Sequence, residues 1–133
     1  MSSLTRTIEG AVQVHHLPHA ELLIDRALVE QHGRSARTLV KEGLLRLTII
    51  ALAPDGDMPA HSTSGPVSVH MLQGEAVFTA GGSEYPLHVG DVLVFARGVE
   101  HAARSASGCT FLLTVVHEPS PGTPPDVLKE EGR

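Results

Sequence analysis

A chain of 133 residues is long enough for one compact domain, and 41% hydrophobic with 19% charged residues is the composition of a globular one. A net charge of −5 with no run of lysine or arginine provides no stripe for nucleic acid or an anionic membrane surface, and no apolar run approaches the ~18 residues of a membrane span. A single cysteine, Cys109, excludes an internal disulfide and any cysteine-based zinc cage; the opening "MSSLTRTIEG" lacks the apolar stretch of a secretory signal, so the expected location is cytoplasmic.

In chain order, "AVQVHH" (Ala11–His16) alternates like a strand that can add to a neighbouring copy's sheet, which points to a homodimer. The histidines of "HHLPH", His15, His16 and His19, read as a solvated segment ahead of a helix rather than as a metal tract. Pro18 stands where a helix can start, Leu22, Leu23, Ala27 and Leu28 recur at helical spacing, and Gly33 supplies a left-handed stop. A short helix is therefore expected over about Ala20 to Gln31.

From Ser35 the pattern changes to alternation. "SARTLVK", "LLRLTIIALA", "VSVHML", "AVFTA", "SEYPLHV", "VLVFA" and "CTFLLTVV" are strand-like runs separated by "EG", "PDGD", "QGE", "GG", "GD" and "RG" turns. Strands of this length and regular spacing indicate a sandwich or barrel. The organisation expected is an N-terminal segment over 1–34, a barrel over 35–117, and a proline-rich flexible tail over 118–133. Cys109, at the head of an apolar strand, is expected to be a buried small hydrophobe.

Two stretches carry a resemblance. From Gly56 to Gly74 and from Gly90 to Ser105, the sequence resembles the two motifs of the cupin family, G-x5-H-x-H-x3,4-E-x6-G and G-x5-P-x-G-x2-H-x3-N. The first histidine falls on His61 and the closing glycine on Gly74; the second motif's glycines and histidine fall on Gly90, Gly98 and His101. The resemblance implies an all-β protein, a single cupin-type jelly-roll β-barrel with a short N-terminal helix. It also places His61 and His101 on neighbouring strands of one sheet.

The departures bear on function. Thr63 stands in place of the family's second histidine, Val67 in place of its glutamate, and Ala96 and Ser105 in place of the proline and asparagine of the second motif. Where the full set is present, the resemblance implies three histidines and a carboxylate around a divalent transition metal (zinc, nickel, iron or manganese). Here two of those four positions, His61 and His101, keep a metal-ligating residue, and a third donor must be found. His70 is the first candidate, but strand alternation sends it to the face opposite Val67 unless a bulge intervenes. His88 and His117 lie outside the motifs. The hydroxyls of Ser62, Thr63 and Ser64 lack a carboxylate in the motif to orient a histidine, and turn chemistry explains them equally well. Arg97 and Glu100 flank His101 as solvated loop charges.

Val67, Val69 and Met71, with Phe95 and Phe78 nearby, are read as apolar lining, and His61, Thr63 and His101 as the polar end of the same pocket. That combination suits a small, partly polar organic ligand better than a sugar. Three readings follow: a metal-dependent enzyme of oxygenase or isomerase type on His61 and His101; a binding module using the same pocket without metal; and a metal-free isomerase or hydrolase with a histidine as acid or base.

Overall fold

The computed structural model describes residues 10–17 and 24–119. In chain order the elements are α1 (Arg26–His32), β1 (Arg34–Glu42), β2 (Leu45–Leu52), β3 (Gly56–His61), β4 (Val67–Gly74), β5 (Ala76–Ala80), β6 (Ser83–Leu87), β7 (Val92–Phe95), β8 (His101–Ser105) and β9 (Cys109–Val116). They form a five-stranded sheet in the order β1-β2-β9-β4-β7 and a four-stranded sheet in the order β3-β8-β5-β6, with every pairing antiparallel. This is the expected jelly roll, and its two-sheet architecture follows from the alternation in the strands. On β4, Val67, Val69 and Met71 are buried while Ser68, His70 and Leu72 between them are only partly so.

The inner faces meet in one core, containing Ile50 and Leu52 of β2, the three inward residues of β4, Phe78 of β5, Phe95 of β7 and Phe111 of β9. Phe78 and Phe111 touch edge to face at 5.1 Å between ring centres, an arrangement that adds to their burial. Cys109 is buried in this core, as expected, and burial raises its thiol pKa. A second, smaller apolar cluster lies outside the five-stranded sheet, where Leu39, Val40 and Ile49 are covered by Leu17, Leu72 and Leu112.

One expectation needs correcting. The helix begins at Arg26 rather than Ala20, because Asp25 adopts an extended backbone and its side chain accepts a hydrogen bond from the Leu28 N–H at 3.1 Å, capping the helix there. It runs one residue past Gln31, to His32, before Gly33 turns left-handed at φ 79°. Residues 18–23, including Leu22 and Leu23, lie outside the described residues, as does the tail from residue 120. Within a single chain the segment Ala11–His16 forms no strand, and Val12 and Val14 stand exposed. Among the described residues, no helix is long and apolar enough to cross a membrane.

Phe111 is fully buried against Phe78. Phe111→Ala is expected to lower stability by about 3–5 kcal/mol through lost burial and the cavity left behind. Urea denaturation of the variant beside the parent checks this.

Candidate functional site

Two strands absent from the alternation-based reading, β3 and β8, carry the two motif histidines. The β3 sequence, "GDMPAH", looks like a loop because Gly, Asp and Pro are poor strand formers. Proline is tolerated because β3 is an edge strand and contains a bulge. Met58 pairs with Ala103 and His61 with His101, so Pro59 and Ala60 together face the single residue Ala102. Without that extra residue Ala60 would stand opposite His101 and His61 would face the other side of the sheet. The bulge turns His61 toward His101.

The imidazoles meet end to end. His61 Nε2 and His101 Nε2 are 3.1 Å apart, and the ring centres 4.2 Å. Each ring is held from behind by the carbonyl two residues earlier: His61 Nδ1 lies 2.9 Å from Pro59 O, and His101 Nδ1 3.0 Å from Val99 O. A carbonyl only accepts, so each Nδ1 carries the ring hydrogen that donates to it. Two neutral imidazoles have two such hydrogens, and both are used at the back. The two Nε2 lone pairs then face each other with no hydrogen between them, so the pair lacks one proton, cation or external donor.

Burial works against supplying that lack with a proton. His101 is 1% exposed, whereas His61 is open to solvent. The His101 pKa is lowered from its ordinary 6.5, chiefly by desolvation; the Val99 carbonyl opposes the shift and the neighbouring His61 adds to it. Phe95 supplies part of the apolar surroundings, its ring centre 4.4 Å from that of His101.

The other expected site residues are placed as follows. Thr63 spends its hydroxyl on Gly65 O at 2.9 Å, a turn contact, and its carbonyl accepts from Gly98 N–H at 2.9 Å, tying together the two loops that flank the histidines. Gly98 makes that contact with φ 77°, a conformation few other residues adopt cheaply. Val67 lies in register with Phe95 across β4 and β7. Val67, Val69 and Met71 are buried in the core. His70 alternates to the outer side of β4 and does not join the pair. His117 Nδ1 lies 3.3 Å from Ser64 Oγ. His88 lies beside Glu75 at 3.4 Å, near the end of β6.

Two nitrogens 3.1 Å apart can reach one ion, since ligands ~2.1 Å from a common centre stand at most ~4.2 Å apart. The donor count is short. Among the described residues no group of three His, Cys, Asp or Glu side chains comes together, and Val67 has nothing to coordinate with. The described residues of one chain do not fit a resident zinc-like ion, whose sites have at least three protein ligands.

A jelly roll with a histidine pair contributed by two adjacent strands defines the class as a cupin-type barrel. The chain belongs to the cupin domain family, whose sequence profile matches residues 48–117. In the solved structures it is similar to a conserved protein of unknown function from Streptococcus pyogenes, at 25% identity and TM-score 0.67, covering 86% of this chain and 95% of that one. It is also similar to a cupin superfamily protein from Desulfitobacterium hafniense, at 20% identity and TM-score 0.70, covering 85% and 100%. Salicylate 1,2-dioxygenase from Pseudoaminobacter salicylatoxidans shares the fold at 14% identity and TM-score 0.71, with 85% of this chain matching 35% of that one. No curated protein matches the sequence.

The lowered His101 pKa has a consequence for stability. Below pH 6.5 the unfolded chain takes up a proton that folded His101 resists, so the contribution of neutral His101 is complete above pH 6.5 and is lost as pH falls through the folded value. Unfolding free energy measured from pH 8 to pH 5 is expected to decline in the acid half. His101→Gln should flatten that part of the profile.

Proposed function

We propose that this cupin is a small-molecule binding protein whose His61–His101 pair accepts a hydrogen bond from the donor end of a small, partly polar organic ligand at the barrel mouth. One observation carries the reading: both Nδ1 atoms are engaged by carbonyls, so two Nε2 lone pairs converge at 3.1 Å with no hydrogen of their own to share. A hydroxyl or ammonium presented to them supplies what the pair lacks. The exposed side of His61 gives access, Phe95 backs His101 from the core with Val67 in register beside it, and Thr63 sits at the adjoining loop. Val69 and Met71 support the site from the core beneath.

Phenol and benzoate, which share a ring and differ in donor and acceptor character, test the reading. Phenol is expected to shift the amide resonances of Thr63, Gly98 and Val99 saturably, and benzoate to leave them in place. His61→Ala or His101→Ala should weaken phenol binding by about tenfold, the scale of one hydrogen bond to a buried acceptor. Equal binding of benzoate, or full phenol affinity in both variants, would overturn the proposal. Elemental analysis of protein purified without added metal or a histidine tag checks the competing metal-dependent reading. A stoichiometric transition metal lost on either substitution would replace the metal-free account.

The assembly proposed is a homodimer. Val92 and Val94 of β7 are exposed on the outside of the five-stranded sheet, the side where Leu72 and Leu112 already form an apolar patch with Leu17. Light scattering at micromolar concentration should give twice the 14.1 kDa of one chain.

A further inference from the structure

The far end of the barrel also holds a cavity. His101 opens β8 and Ser105 closes it, so the end at which Ser105 lies is four residues along the strand from the histidine pair, roughly 13 Å. There, four turns that are remote in sequence converge: Asp55 from β2–β3, Glu75 from β4–β5, His88 from β6–β7 and Ala106 from β8–β9. Between them lies a cavity of about 430 Å³, within the range of small-molecule pockets, whose wall includes Ala76, Leu87 and Arg104.

The charges around this cavity are unevenly committed. The Arg104 guanidinium is engaged by Glu84 at 3.3 Å. Glu75 and Asp91 both approach His88, at 3.4 and 3.9 Å, and Asp91 also accepts from the His88 backbone N–H at 2.8 Å. The Asp55 carboxylate makes no hydrogen bond or ion pair among the described residues. Its backbone is nonetheless fixed: the Asp55 N–H donates to Ala106 O at 3.2 Å, and its φ of 62° makes it the one described non-glycine residue in the left-handed region. Two lining carboxylates, Asp55 and Glu75, thus stand beside one permanent cation, Arg104, which Glu84 engages from outside the lining, and Asp55 is the one without a partner among the described residues.

We propose that this cavity is a second binding site, independent of the histidine pair, for a small organic cation: a primary ammonium on a short aliphatic body. The ammonium sits between Asp55 and Glu75, and the aliphatic part covers Ala76 and Leu87. Exposed carboxylates hold such a ligand weakly, so the affinity is millimolar.

Amide spectra recorded during titration with n-butylammonium, n-butyrate and n-butanol test it. Butylammonium is expected to shift Glu75, Ala76, His88 and Ala106 saturably, with smaller shifts from butanol and none from butyrate. Asp55→Asn keeps a side chain that tolerates positive φ, and Glu75→Gln changes charge at an exposed turn, so both variants should fold. Each should weaken butylammonium binding about fivefold, the scale of one exposed charge-assisted contact. His61→Ala should leave these shifts unchanged, which separates this site from the histidine pair. Binding of butyrate at least as tight as that of butylammonium, no saturation by about 50 mM, or undiminished affinity in Asp55→Asn would overturn the proposal.

Discussion

The meeting of His61 and His101 depends on one extra residue in β3. Side chains alternate along a strand with a period of two, so the difference between a histidine facing its partner and one facing away is a single residue of register. Between Met58 and His61, Pro59 and Ala60 occupy the space of one pairing position and invert the phase. The same proline then acts a second time, since its carbonyl receives the His61 Nδ1–H and fixes which nitrogen faces His101. Backbone irregularity and side-chain orientation at this site are two results of one local sequence, "MPAH".

Behind the pair, an apolar wall stands where the family motif has a carboxylate. A carboxylate there would favour a proton or an ion between the rings. Val67 instead extends the apolar core through its register partner Phe95 to the face of His101, and the resulting desolvation keeps that imidazole neutral near physiological pH. The proposed role as an acceptor for an external donor rests on the valine in the glutamate position as much as on the two histidines.

Much of this was legible in the sequence, and the gaps have physical causes. Alternation in "VSVHML" identifies β4, which buries one face, and the apolar run "CTFLLTVV" identifies β9, a central strand that buries residues on both faces. It failed for β3, where a bulge interrupts the period, and for β8, where only five residues, among them the exposed Arg104, leave too little pattern. The helix starts later than Pro18 suggests because Asp25, a residue the apolar spacing does not single out, is the one that caps it in the fold. The two histidines were found through the spacing of the motif glycines. The cavity at the other end carries no motif, because Asp55, Glu75, His88 and Ala106 are brought together by four separate turns.

The prolines of the smaller sheet have a further effect, on behaviour at high concentration. β3 and β6 are its two edges, and each contains a proline, Pro59 and Pro86. An edge strand with a free row of N–H and C=O groups is a template on which other chains can add as successive strands, and a residue without an N–H breaks that row. Both margins of the sheet that carries the histidine pair are interrupted in this way. Strand addition at these two margins is thereby disfavoured, and on β3 the residue that does this is the one that shapes the site.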